Sequence, residues 1–282
     1  MINKNTDYAN HIDLSNKNNS HTKIINMIKP NSKVLEFGPA KGYMTKYLKQ
    51  KLNCKVTCVE LNSDFLPNIE PYSERIIISD IDKLDWKKEF PEPASFDTII
   101  FSDVLEHLYD PWMAVESCRY LLKENGSFLA SIPHIGYSGL VASLLRGNFK
   151  YRSMGLLDKT HIRFFNRNSI IELFEKNGFY LHIFDSVTLH WRDSEFKEEL
   201  ADAPPDLLEL VSRAPDSFVY QFVVEAKLMS KENSILITQL ERQVQYLKTS
   251  NGLAFGKFLL WTIGILLPKF ILKKILSRFR GK

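Results

Sequence analysis

The residues best suited to chemistry form an ordered series of acids and glycines. The stretch Val34–Gly42, VLEFGPAKG, holds Glu36, Gly38, Ala40 and Gly42. Glycine in a turn that opens a helix lets a ligand approach the backbone closely, and the helix N-terminus offers it free N–H groups. Glu60 follows about twenty residues later, where an acid at the next strand end can accept both hydroxyls of a ribose. Asp80-Ile81 comes next, a carboxylate for an exocyclic amine beside an apolar side chain for a flat ring. Together these positions describe a nucleoside-containing ligand. A nicotinamide dinucleotide would share the geometry, but its fingerprint is G-x-G-x-x-G. Here Pro39-Ala40-Lys41 separates Gly38 from Gly42, and Glu36 precedes the first glycine.

Such residues converge only if the elements carrying them end at one edge. Strand and helix signals alternate through the first two thirds of the chain, the pattern of a parallel sheet covered on both faces. The periodicity predicts strands at Lys33–Phe37, Val56–Glu60, Ile76–Ser79, Thr98–Ser102 and Ser127–Ile132, with later strands at Tyr180–Thr188 and Phe218–Leu228. It predicts helices at Ser20–Ile28, Tyr43–Lys51, Trp112–Leu122 and Ser169–Asn177. Glu36, Glu60, Asp80 and Ser102 then fall at or near the carboxyl ends of successive strands, where open α/β sheets bind ligands. Residues 134–166 and 189–217 are expected as excursions on the substrate side, because neither fits a tight connection.

Charge is divided unevenly along the chain. Of a net +4, the segment Ser230–Lys282 carries ten Lys/Arg and two Glu, or +8, leaving −4 on the first 229 residues. An acidic body is a poor match for nucleic acid, whose phosphates need a basic face. The three cysteines, Cys54, Cys58 and Cys118, have neither zinc-site spacing nor an even count, so buried free thiols are expected. Residues 1–20 contain no apolar run of the kind that opens a signal peptide. A cytoplasmic body is the expectation.

The stretches VLEFGPAKG, VTCVELN, SDIDKLD, FDTIIFSDVLEHLYDP and GSFLASIP resemble, in order, the motifs of class I S-adenosylmethionine-dependent methyltransferases. The resemblance covers roughly residues 20–228. It implies an α/β fold, a Rossmann-like doubly wound seven-stranded sheet whose last strand is antiparallel, here followed by a C-terminal helical tail. It places Glu36, Gly38 and Gly42 around the methionine part of the donor, Glu60 at the ribose, Asp80 and Ile81 at the adenine, and Ser102 beside the sulfonium. Ala40 stands where the family's pattern usually has glycine. Two further stretches, HIDLSNKNNSHTKII and GLLDKTHIRFF, are similar to bacterial methyltransferases of surface-glycan (O-antigen-type) synthesis. That likeness implies a sugar hydroxyl, on a glycan or its lipid-linked precursor, as acceptor.

A hydroxyl must lose its proton as it attacks the methyl carbon, and histidine is the usual base near neutral pH. His107 follows the fourth strand, and His161 lies in the first excursion with Asp158 placed to orient its ring. These three are the candidate catalytic residues. Asp158, His161, Glu106 or Asp103 offer an alternative as ligands of a divalent cation, but their spacing does not establish a site, and no metal is expected. Phe164, Phe165, Trp191 and Tyr151 can stack on an acceptor or simply pack the excursions down.

The chain reads as a methyltransferase domain at 1–229, a short coiled-coil-like helix at 230–251 and a basic amphipathic helix at 252–282. Ile237, Leu240, Val244 and Leu247 follow a heptad pattern that can join chains into a homo-oligomer. The apolar run Phe258–Leu267 is interrupted by Pro268 and Lys269, well short of the roughly twenty residues that span a bilayer. Phe270, Ile271, Leu272, Ile275, Leu276 and Phe279 then alternate with basic residues at helical spacing. Such a helix lies on an anionic membrane surface, here the inner face of the cell membrane. The competing functions are a small-molecule or quinone methyltransferase and a non-catalytic adaptor that keeps the fold.

Overall fold

The computed structural model describes residue 12 and residues 14–230. The chain divides between Lys227 and Leu228, and the packing and the site described below lie in the first unit. The segments 230–251 and 252–282, read from sequence as a coiled helix and a membrane-surface helix, lie outside the described residues, Ser230 apart.

The elements run α1 (Ser20–Asn26), β1 (Lys33–Phe37), α2 (Tyr43–Leu52), β2 (Lys55–Glu60) and the single turn α3 (Leu66–Ile69). Next come β3 (Arg75–Ile78), the short α4 (Trp86–Glu89), β4 (Phe96–Ser102), α5 (Pro111–Leu121) and β5 (Leu122–Pro133). The last five are α6 (Ser138–Leu145), α7 (Arg167–Lys176), β6 (Phe179–Thr188), α8 (Pro205–Ser212) and β7 (Val219–Leu228). Local chemistry fixes several starts. The Asp110 side chain caps α5 at the N–H of Met113, with Pro111 in the first turn, where its missing N–H costs nothing. Asn166 and Ser169 close a reciprocal capping box on α7.

All seven strands join one sheet in the order β3-β2-β1-β4-β5-β7-β6. β1 pairs in parallel with β2 and β4, β2 with β3, and β4 with β5, while β7 runs antiparallel to β5. This is the Rossmann-like doubly wound sheet, with its reversal of strand order between β1 and β4, the place where such sheets bind ligands.

Each central strand is apolar on both faces, which is why it reads as a nearly continuous hydrophobic run. One face places Val34, Val56, Cys58, Ile100 and Leu129 against Ile24 of α1 and Met44 and Leu48 of α2. The other carries a row of aromatics: Phe37 stacks on Phe101 at 4.3 Å and Phe101 on Phe128 at 5.1 Å, with Phe174 edge-on to Phe128. Each such pair contributes about 0.5–1.5 kcal/mol beyond its buried area. The three cysteines are buried and free. Among the described residues, no helix is long and apolar enough to cross a membrane.

The two excursions differ from expectation in being one structure. Tyr137, Leu140 and Leu157 of the first pack with Trp191, Phe196 and Leu200 of the second in a core of their own. Glu199 stitches them together, accepting from Ser143 at 2.7 Å and from Arg152 at 2.6 Å. The helices α6 and α8 went unread for separate reasons. Five of the eight residues of α6 are buried, so it lacks a polar stripe to mark its period. Ala203-Pro204-Pro205 looks like a break, yet Pro205 is the first residue of α8, a position proline tolerates. β5 begins at Leu122 rather than Ser127, because a register shift between Phe96 and Thr98 extends its pairing with β4.

Candidate functional site

The turn after β1 is a close-fitting cradle. Gly38 and Gly42 have φ +63° and +71°, and an added Cβ would lie 2.8 Å from Cγ2 of Val104 and 3.0 Å from the carbonyl oxygen of Asn68 respectively. Ala40, between them, also has positive φ, +48°. Its N–H donates to Oε2 of Glu60 at 3.0 Å, and the N–H of Asn62 donates to Oε1 at 2.9 Å. An ionised carboxylate has about four acceptor positions, so two backbone N–H groups orient Glu60 and leave capacity for two hydroxyl donors. Leu61, immediately after it, is 65% exposed. Sequence reading passed over this residue; the signal was an apolar side chain at a strand end, following the acid and facing no core.

Glu36 sits on the core face of β1 beside Cys58. Its Oε2 accepts from Oγ1 of Thr45 at 2.7 Å. Burial pushes its carboxyl up to about 7, Thr45 partly offsets that, and the charge of Glu60 adds to it.

Asp80 is tied less firmly. Its Oδ1 accepts the N–H of Asp82, and its Oδ2 lies 2.9 Å from the ammonium of Lys83, which is itself 81% exposed. The Lys83 hydrogen bond holds the carboxyl below the ordinary range. A side chain so exposed can leave Asp80 to a ligand at little cost, and Ile81 beside it is buried. Asp82 was not anticipated. It accepts the N–H groups of Tyr109 and Asp110, each at 2.9 Å, and so holds the loop after β4 beside the end of β3.

That loop carries the second half of the site. Ser131 Oγ donates to Oδ1 of Asp103 at 2.9 Å, which leaves Ser102 Oγ, 3.2 Å away, as donor to Ser131. Gln221 of β7 donates to the same Asp103 oxygen. Asp103 itself has φ +56°, a left-handed conformation that aspartate adopts more readily than most side chains. The backbone carbonyl of Glu106 accepts from the N–H of Ile162 and of Arg163, at 2.9 and 3.0 Å, docking the first excursion against the loop. His107 and His161, 54 positions apart in the chain, thereby meet edge to face with ring centroids 4.7 Å apart.

Nδ1 of His107 lies 3.1 Å from the carbonyl oxygen of Thr160, and Nδ1 of His161 lies 3.2 Å from that of Leu156. Burial and the neighbouring His161 lower the pKa of His107. Asp158 does not orient the His161 ring. Its carboxylate accepts from the N–H and the hydroxyl of Thr160 instead, at 2.8 and 2.6 Å, and the ring is held by the Leu156 carbonyl. Trp191 and Phe165 are buried, whereas Phe164 and Tyr151 are 44% and 65% exposed. Only the latter pair is open to stack on a ligand. A cavity of about 560 Å³ in the second excursion is lined by residues including Trp191, Leu200 and Leu208, but by none of the strand-end acids.

A family model described as a methyltransferase domain matches residues 16–182, more than half of the chain. The chain belongs to this methyltransferase family. No curated protein matches the sequence. Among solved structures, a Bacillus halodurans protein described as a methyltransferase is 14% identical, with 74% of this chain and 99% of that one covered at a TM-score of 0.53. An S-adenosylmethionine-dependent methyltransferase from Mesorhizobium loti is 15% identical, with 76% and 100% covered at a TM-score of 0.50. At these identities the likeness is one of fold. The methyltransferase uses S-adenosylmethionine, and the cradle fits that donor: two positive-φ glycines where any side chain would be strained and crowded, a preoriented Glu60 with open lone pairs, and the exposed Leu61.

Proposed function

We propose that this methyltransferase O-methylates a hydroxyl of a sugar, in a cell-surface glycan or its lipid-linked precursor. In this reading Glu36, Gly38, Ala40 and Gly42 receive the methionine end of the donor, Glu60 the ribose, Asp80 and Ile81 the adenine, and Ser102 borders the sulfonium. The donor, when bound, supplies a methyl group on a positively charged sulfur, already activated for displacement. The protein's own part is to align the acceptor and exclude water, an effect worth up to roughly 7–11 kcal/mol in well-oriented reactions.

One observation carries the choice of oxygen as acceptor: His107 and His161 meet with Glu106 immediately beyond the end of β4. A neutral amine attacks without losing a proton first, whereas a sugar hydroxyl needs an activating group beside it. The exposed Tyr151 and Phe164 give a sugar ring faces to stack on. The likeness of GLLDKTHIRFF to glycan-modifying enzymes, a stretch that contains Asp158 and His161, supports the same acceptor. The tail at 252–282 is proposed to hold the enzyme on the inner face of the cell membrane, where a lipid-linked precursor is found.

The test is the glycan itself. Mass spectrometry of cell-envelope glycans should show a methyl ether that is lost when the gene is deleted. The wild-type gene should restore it, and one encoding His107→Gln should not. Unchanged glycan methylation in the deletion strain would overturn the reading and leave a small-molecule acceptor.

A further inference from the structure

The Glu106 side chain is 1% exposed, and among the described residues neither carboxylate oxygen has a hydrogen-bond partner. Two unsatisfied oxygens on one buried acid are a large unbalanced cost, since an unpaired buried polar group forfeits roughly 1–3 kcal/mol and a charged one more. Something must satisfy them. The two imidazoles within reach do not donate to it in their neutral form. The Nδ1 atoms of His107 and His161 face carbonyl oxygens, and a carbonyl can only accept. In its neutral form each ring therefore carries its proton on Nδ1 and leaves Nε2 as a bare lone pair. Nε2 of His161 lies 3.9 Å from Oε1 of Glu106. One nitrogen of each ring and one Glu106 oxygen all fall within 4.8 Å of one another.

We propose that Glu106, His107 and His161 bind a divalent transition-metal ion of the zinc type. Two imidazoles and one carboxylate form a common ligand set for such ions and leave a coordination position open. Hydrogen bonding of each ligating imidazole through its other nitrogen to a backbone carbonyl is what fixes ring orientation in metal sites, and it is already in place here. Ligands about 2.1 Å from a tetrahedral ion sit roughly 3.4 Å apart, so the cluster must contract by about an ångström, within the reach of side-chain rotation. The ligands come from two segments far apart in the chain, brought together by contacts that include the Glu106 carbonyl and its two donors, which explains why their spacing in sequence does not identify the site.

The inference stands apart from the identity of the acceptor. If the acceptor is a hydroxyl, the open position gives it a Lewis acid that favours its deprotonated form. The test is zinc binding by the full-length chain after chelator treatment. Titration should show one tight Zn²⁺ per chain, with Glu106→Gln and His161→Ala each weakening it at least about 100-fold. Glu60→Ala should leave metal affinity unchanged while weakening the donor, which separates this site from the cradle. Binding of S-adenosylmethionine by the Glu106→Gln variant checks that it folds. X-ray absorption of the wild-type zinc complex should show two imidazole ligands, a readout that needs no variant. Failure of the wild type to hold zinc, wild-type affinity in both ligand variants, or a spectrum without imidazole would each overturn the proposal. The first of these would leave the glycan reading standing.

Discussion

Thr45 Oγ1 donates to Glu36 Oε2 at 2.7 Å, one hydrogen bond for a carboxyl otherwise surrounded by core. Burial wins over that bond, and the folded protein keeps the Glu36 proton up to about pH 7 instead of losing it near 4.5. The raised value means that this contribution to stability is full below pH 4.5 and is lost as pH climbs to about 7. A shift of that size corresponds to roughly 3 kcal/mol. Glu36→Gln should therefore melt higher than wild type at pH 8 and show little advantage at pH 4.5. Thermal unfolding of both proteins across that range checks it, and parallel curves would mean that Glu36 ionises freely.

The cradle makes a prediction about backbone conformation. Ala40 has φ +48°, which costs a non-glycine residue about 1–2 kcal/mol, while glycine pays about 0.5–1 kcal/mol in chain entropy. Ala40→Gly should gain about 0.5–1 kcal/mol of stability. Gly42→Ala should lose about 1–2 kcal/mol, because the new Cβ adds a 3.0 Å approach to the Asn68 carbonyl at φ +71°. Denaturant unfolding decides both, and two changes of the same sign would contradict the account.

The sheet and the donor-side acids were legible because each announces itself locally. Buried parallel strands read as apolar runs, and Glu36 stands just ahead of Gly38 while Glu60 and Asp80 come at or just past strand ends. What the sequence hid was contact between distant segments. Asp158 stands three residues before His161, which made it the natural partner for that ring, yet the carbonyl of Leu156 does the work. Glu106 looked like one acid among several until burial left it without a donor. The excursions looked like separate lids because nothing local shows that Trp191 packs among residues of the other one.

Asp82 links the two halves of the site, since its carboxylate holds the N–H groups of Tyr109 and Asp110. Hydrogen bonds to a charged acceptor contribute roughly 1.5–3 kcal/mol when buried and less where solvent competes. Asp82→Ala should lower stability by about 1–2 kcal/mol and reduce turnover by misplacing His107. Melting and single-turnover rates measured together test this. Unchanged turnover would show that the loop keeps its place without Asp82.

The tail's +8 over residues 230–282 predicts membrane attachment that weakens with salt, as about 1 kcal/mol per basic residue near anionic lipid is screened away. Truncation near Ser250 should give a protein that binds donor normally but methylates a membrane-held acceptor poorly. Fractionation and assay of the truncated chain test it. Full activity on that acceptor would make the tail irrelevant to substrate access.

The central claim is that the ends of β1, β2 and β3 bind S-adenosylmethionine through Glu60, whose carboxylate is fixed by Ala40 and Asn62 with acceptor capacity to spare. Calorimetry with S-adenosylmethionine on wild type and Glu60→Ala tests it most directly. Losing a charged acceptor for the ribose should weaken binding roughly 10- to 100-fold, the equivalent of about 1.5–3 kcal/mol. Equal affinity in the two proteins, or tight binding of NAD by the wild type, would contradict the account.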